Sequence, residues 1–360
     1  MKKTARIAAV VSIAALTLAA CGERPADEAD DDTNTPSASP TATAEQIDFK
    51  ACMVSDSGGF DDKSFNQTSH DGLTNAAANL GVQTGEVESQ SDSEYADNIK
   101  ALVNEGCNSI TTVGFLLGDA TLAAAKKNKD VDFSIVDYAY SDEAGNNTAP
   151  KNLKGLVFNT AEPSFLAGYL AAATTETGTV GTFGGMNIPT VTAFMQGFMQ
   201  GVDQYNADEG ADVQLLGWNG KEGSFTDDFE DKSKGQSTAE QMIGQGADII
   251  FPVAGPAGLG GLQAAKDAGV WGIWVDTDGC VSAAEYCDVL LTSVMKGMDV
   301  AVEQAIADSV NGEFSNELYV GTLENEGVGL ADLSDDVDSA VADKLEELKA
   351  QIISGDIKTG

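Results

Sequence analysis

The sequence predicts an α/β protein of two Rossmann-like lobes, each with a parallel central sheet. Three observations carry this. Short apolar runs alternate with amphipathic helical stretches along most of the chain, the pattern of parallel α/β sheets. The alternation runs through once, passes a helical stretch near Phe165, and starts again, so two similar halves result. Glycine and aspartate gather in loops directly after the apolar runs, where open α/β sheets hold their ligands.

The N-terminus bears on the compartment. Lys2, Lys3 and Arg6 precede an apolar stretch from Ile7 to Ala20 that is short for a membrane span, so residues 1–20 read as a signal peptide. The stretch ends in Leu18-Ala19-Ala20-Cys21, small residues before a cysteine, as cleavage with diacylglycerol attachment requires. Cys21 is the expected lipidation site; the other reading is an ordinary signal peptide with an incidental cysteine. Residues 21–46 are rich in Asp, Glu, Pro, Ser, Thr and Ala. They bury too little apolar surface to offset ordering entropy and are expected to form a flexible acidic tether. The expected location is extracytoplasmic, with membrane contact through the lipid anchor alone.

Roughly 310 residues remain, enough for two domains of ordinary size. Residues 47–160 are expected to form lobe 1, with strands at 51–54, 82–87, 109–113, 133–136 and 156–158 and helices at 66–80, 95–105 and 120–128. A helix around 165–173 opens lobe 2, residues 161–295. Its strands are expected at 179–183, 213–216, 249–252, 272–275 and 289–292, and its helices at 191–205, 235–244, 259–268 and 295–307. Residues 296–360 are expected to cross between the lobes and complete them. They end in a helix over 337–353 whose Val341, Leu345, Leu348 and Ile352 share one face.

Composition removes several functions. A net charge of -37 repels phosphate backbones, so nucleic acid is not an expected partner. His70 is the only histidine and sits in Ser69-His70-Asp71, a stretch typical of a solvated helix face, which leaves little room for a Ser-His-Asp or Cys-His nucleophile. No Cys-x-x-Cys pair occurs, so no zinc site is expected, nor any other metal or cofactor. Apart from Cys21 there are four cysteines, which allow three pairings in an oxidising compartment. Cys280 and Cys287 share a short polar segment, and Cys52 and Cys107 adjoin neighbouring strands. The reading pairs Cys52 with Cys107 and Cys280 with Cys287, against the alternative of free buried thiols.

The densest chemistry follows the first strand, in Ser55-Asp56-Ser57-Gly58-Gly59-Phe60-Asp61-Asp62-Lys63-Ser64-Phe65-Asn66. Glycines let backbone approach a ligand, Asp61 and Asp62 supply acceptors, and Phe65 offers a ring face. The ordinary reading is a surface turn with a helix cap.

With this string the sequence resembles the basic membrane protein family of substrate-binding lipoproteins, the purine nucleoside-binding, PnrA-like group. Asp61-Asp62-Lys63-Ser64-Phe65-Asn66 is that family's hallmark. Further matches follow in order along nearly the whole mature chain: Val113-Gly114-Phe115, Ile135-Val136-Asp137, Ser164 to Gly168, Gly184-Gly185-Met186 and Phe194 to Phe198. Gln245 to Asp248, Val253-Ala254-Gly255, Val275 to Asp278 and Thr292 to Lys296 complete them. The resemblance implies a type I periplasmic-binding fold with a hinge and an interlobe cleft. It also implies a purine nucleoside in the cleft and an ABC-type permease as partner, with the protein expected to be monomeric. By the same resemblance Asp276 and Lys296 bond the ribose hydroxyls near Gly255, and Phe65 and Phe194 flank the base. Asp61, Asn66, Phe115 and Asp137 match other cleft-loop positions. The segment between Asp278 and Asp288, with its cysteines, departs from the pattern and is expected to alter the rim.

The residues support these roles on their own. A carboxylate at a strand end, as Asp276 is, accepts both hydroxyls of a vicinal diol, each charge-assisted bond contributing roughly 1.5 to 3 kcal/mol. The plain alternatives are that Asp276 caps a helix and Lys296 snorkels at a helix start. A calcium-dependent nucleoside hydrolase is the enzymatic rival, invited by Asp56, Asp61 and Asp62. Lys63 and the lipoprotein start weigh against it. The same fold with a sugar ligand is the other rival. An amino acid ligand is disfavoured because no Arg follows Arg24. A nucleotide is disfavoured because Gly255-Pro256-Ala257-Gly258-Leu259-Gly260-Gly261 lacks a P-loop ending; that stretch is expected to let backbone approach a neutral ligand. A structural adhesin fits the loaded strand ends poorly.

Overall fold

The computed structural model describes residues 44–360; the expected signal peptide, Cys21 and nearly all of the expected tether lie outside them. Chain order packs into a first sheet from β1 (Lys50–Ser55), β2 (Gln83–Glu88), β3 (Ser109–Val113), β4 (Asp132–Val136) and β5 (Leu153–Phe158). A second follows from β6 (Thr179–Gly184), β7 (Gln214–Leu216), β8 (Ile249–Val253), β9 (Trp271–Asp276) and β10 (Leu290–Lys296). Two late strands, β11 (Tyr319–Gly321) and β12 (Val328–Leu330), join the first and second sheets respectively.

The strand orders are β11-β5-β4-β3-β1-β2 and β12-β10-β9-β8-β6-β7. Neighbours run parallel throughout, except β12, which pairs antiparallel with β10. Interior strands such as β3 and β8 are buried at every residue, as strands covered on both faces must be. The covering helices include α1 (Phe65–Leu80), α2 (Tyr95–Asn104), α3 (Gly118–Lys127), α4 (Ala161–Thr174), α5 (Pro189–Glu209), α6 (Lys232–Gly244) and α7 (Gly255–Ala268). A short α8 (Gly279–Ser282), then α9 (Met298–Asn311) and α10 (Ser339–Ser354), complete the set.

The chain changes sheet three times: from β5 into α4, from β10 into α9, which packs on α1, and from β11 to β12. α10 then packs back on α4 in the second lobe through Leu345, Leu348 and Ile352. The matching strand orders put β4 and β9 in equivalent places, and likewise β5 and β10. Asp137, just after β4, and Asp276, ending β9, are thus structural counterparts, with φ of 67° and 69°. Aspartate tolerates this left-handed backbone better than most residues.

Three expectations need correction. The strand expected at 289–292 continues to Lys296, because β12 extends the ladder with Val294, Met295 and Lys296 opposite Leu330, Gly329 and Val328. The following helix accordingly begins at Met298 instead of residue 295. The folded part begins by Ala44 rather than Ile47, since Ala44 N and Ile47 N donate to the carbonyls of Ala78 and Gly81. Both expected disulfides are present, with Cα separations of 6.0 Å for Cys52–Cys107 and 4.6 Å for Cys280–Cys287.

The second lobe depends on a close crossing of α4 and α5. A Cβ at Gly201 would collide with the Phe165 carbonyl and lie 2.7 Å from the Tyr169 nitrogen. Gly201→Val is therefore expected to lower unfolding stability by about 1–3 kcal/mol or more, as overpacking does. Urea titration checks this; an unchanged midpoint contradicts the close crossing.

Candidate functional site

The C-terminal ends of the two sheets face each other across a cavity whose empty space, open mouth included, is about 650 Å³. Eight residues singled out from the sequence line it: Phe65, Asn66, Phe115 and Asp137 from the first lobe, and Phe194, Gly255, Asp276 and Lys296 from the second. Asp61 is not among them. Its side chain is 87% exposed and pairs with Lys63 at 2.7 Å.

Lys296 occupies the centre. It is the only buried cationic side chain among the described residues. Its Nζ lies 2.7 Å from Asp137 Oδ2 and 3.6 Å from Asp276 Oδ1, so one cation bridges carboxylates from both lobes. The ammonium also sits 4.6 Å from the Phe65 ring centre, 5.5 Å from Phe158 and 5.6 Å from Phe194. Such a desolvated cation is attracted to ring faces by up to about 2 kcal/mol. Burial pushes the Asp137 carboxyl above its ordinary pKa, and Lys296 pulls against that rise. Asp276 also accepts a hydrogen bond from Ser64 Oγ at 2.7 Å, a second tie between lobes.

The loop after β1 divides its carboxylates among three tasks. Asp62 is spent on the backbone, accepting the N–H groups of Ser64, Asn66 and Gln67 at 2.8–2.9 Å and so capping α1. Burial still raises its pKa to about 6. Asp56 faces the cavity with one protein donor, Asn66 Nδ2 at 3.0 Å. Protein surrounds its carboxyl even though the cavity reaches it, and desolvation lifts its pKa to about 8. Asn66 donates also to the Ser57 carbonyl, and its buried Oδ1 has no hydrogen-bond partner in the protein.

Because Asp56, Asp61 and Asp62 point to different tasks, the acidic cluster does not converge as a calcium site would demand. Among the described residues no group of three or more His, Cys, Asp or Glu is arranged to hold a metal ion. His70 stands outside the cavity, packed on Phe60 with ring centres 4.6 Å apart and the rings tilted.

The glycine-rich stretch beginning at Gly255 also differs from expectation. It forms the first turns of α7 and not a ligand-hugging loop; Gly260 lets the helix approach the backbone of Lys232 in α6. Only Gly255 of its glycines lines the cavity. Phe229 was not singled out from the sequence, Asp62 was named only as a loop acceptor and Asp56 only for the hydrolase rival, yet all three line it. Phe229 sits in the irregular segment between β7 and α6, where periodicity says nothing, but the rule that picked Phe65, an aromatic in a Gly- and Asp-rich loop, picks it too.

A model of the family described as ABC transporter substrate-binding protein PnrA-like matches residues 49–360. The chain belongs to this family. It is 32% identical over 339 residues to the ABC transporter nucleoside-binding protein BmpA of Lactococcus lactis subsp. cremoris, covering 89% of this chain and 91% of that one. It is 33% identical over 331 residues to a CD4+ T-cell-stimulating antigen of Listeria monocytogenes, covering 86% and 88%. An ABC transporter solute-binding protein from Aeropyrum pernix superposes with a TM-score of 0.76 at 28% identity, over 86% of this chain and 92% of that one. The fold is thus that of type I periplasmic-binding-like solute-binding proteins, and the family is one of substrate-binding proteins and not of enzymes. Among the described residues no helix is long and apolar enough to cross a membrane.

The raised pKa of Asp56 has a definite sign. Between 3.8, its ordinary value, and about 8, the folded protein holds a proton that the unfolded chain releases. Its contribution is therefore fully present at low pH and lost as pH rises through about 8. Asp56→Asn carries no such charge, so the thermal midpoint of wild type relative to this variant is expected to fall steadily from pH 5 to pH 8. A difference that stays constant with pH contradicts the assignment.

Proposed function

We propose that this protein is the lipid-anchored binding component of an ABC importer and holds a purine nucleoside in the interlobe cavity. The observation that carries the reading is the convergence of Asp276 and Lys296 with the rings of Phe65 and Phe194 on one cavity. Asp276 and Lys296 together offer the acceptor and donor that a ribose diol needs. Phe65 and Phe194 offer faces for the base, and base–aromatic stacking contributes about 1–3 kcal/mol.

The base edge falls to Asn66 and Asp56. The unpartnered Asn66 Oδ1 accepts, and Asp56, protonated near neutral pH, presents an O–H beside it. Four carboxyl groups and one ammonium line the wall, and even with Asp56 protonated they disfavour a phosphorylated ligand. These terms, less the cost of closure, fit a Kd of micromolar or below, about -8 kcal/mol or beyond. In the same reading the protein is a monomer held at the membrane through Cys21, its lobes close on the ligand about the three crossings, and the permease senses the closed form.

The test is calorimetric titration with guanosine, adenosine, free bases, sugars and amino acids. Nucleosides are expected to bind and sugars and amino acids not to. Asp276→Asn is expected to weaken nucleoside binding by about 10- to 150-fold, the span of one charge-assisted hydrogen bond. Binding of a sugar alone, or equal affinity in the variant, overturns the assignment; free base released at catalytic rates from inosine with Ca²⁺ favours the hydrolase instead.

A further inference from the structure

We infer that Trp274 is a positioning residue of the ligand cavity, acting from the second lobe through the backbone of the loop that carries Ser64 and Phe65. The inference rests on reading the cavity as the ligand site. Trp274 does not line the cavity; it is fully buried in β9, two residues before Asp276. Its indole N–H nevertheless leaves the second lobe and donates to the Lys63 carbonyl of the first at 3.2 Å.

That carbonyl is a sensitive place to hold. Lys63 has φ of 65°, a left-handed conformation that few non-glycine residues adopt. The turn it makes determines where the next two side chains go. Ser64 reaches Asp276 Oδ2 at 2.7 Å, and the Phe65 ring comes to 4.6 Å from Lys296 Nζ. A bond at Lys63 thus fixes both a partner of the ribose-side carboxylate and one ring of the base-side pair. It ties the two lobes directly, side chain to backbone.

The indole is itself held in place by the cysteine-bearing segment. Its ring belongs to a separate small core with Leu259, Leu262, Ala283 and Leu290. The loop over this core is closed by Cys280–Cys287 and tied down by Gly279 N to Ser293 Oγ at 3.0 Å and Lys266 Nζ to Asp288 at 2.8 Å. A Cβ at Gly279 would come within 2.9 Å of the Trp274 Cβ and 3.1 Å of its Cδ1, so the loop backbone packs directly on the indole. The cysteine-bearing segment therefore packs on a donor that reaches across the cleft.

The test replaces Trp274 by β-(3-benzothienyl)alanine, which keeps the ring shape and removes only the N–H, with Trp274→Phe as a second variant. Guanosine dissociation measured by stopped flow is expected to speed up about fivefold, one ordinary hydrogen bond, with association changed less than about twofold. In the protein without ligand, backbone amides of residues 63–66 are expected to exchange hydrogen faster, while amides elsewhere exchange as in wild type. A merely structural tryptophan would shift melting and leave the isostere's dissociation and exchange unchanged; that result overturns the inference. Should wild type bind no nucleoside, the functional reading fails and the exchange measurement alone decides: faster exchange in the isostere supports the positioning role, and unchanged exchange refutes it. If Trp274→Phe does not fold, the isostere decides.

Discussion

The structure turns on one buried ammonium. Lys296 ends the longest strand of the second sheet and is satisfied by Asp137 from the first lobe and Asp276 from its own. Removing a charge from water costs several kcal/mol, recovered only with well-placed partners of opposite sign. The partners here come from both lobes, so the arrangement is complete only when the lobes approach. The three aromatic rings around the ammonium add attraction without adding a hydrogen-bonding competitor. The same group can thus serve closure and ligand recognition, because a diol presents the oxygens that a desolvated ammonium and carboxylate seek.

This economy follows from the architecture. Two sheets of the same strand order, facing through their C-terminal ends, bring equivalent strand ends together. Asp137 and Asp276 are counterparts in this symmetry, and so are the ends of β5 and β10, which carry Phe158 and Lys296. One position of the pair kept an aromatic ring and the other a cation. The result is a cavity with carboxyl groups and rings from both lobes but a cation from only one, an asymmetry within a symmetric frame. Asp56 extends it: a carboxyl held neutral by desolvation can donate as well as accept, which an ionised one cannot.

Much of this was legible in the sequence, for identifiable reasons. Interior strands of a parallel sheet read as continuous apolar runs, so β1, β3, β4, β8 and β9 stood out, and loops after them held most of the cavity residues. β11 and β12 did not stand out, because three residues carry no periodicity, and β10 was cut short because its last pairs are made with β12. The choice of Asp61 over Asp56 and Asp62 had a different cause. Adjacent carboxylates look alike in sequence; which one faces inward is decided by the left-handed turn at Lys63 and by the cap of α1, both tertiary facts. The glycines after Gly255 misled because close backbone approach has two uses, and here most of it serves the packing of α6 on α7.

The most direct measurement is a crystal structure of the protein grown with guanosine. The account places the base between Phe65 and Phe194, and the ribose hydroxyls within hydrogen-bond distance of Asp276 and Lys296. Guanosine bound outside the interlobe cavity, or inside it with the ribose turned away from both residues, would contradict the account.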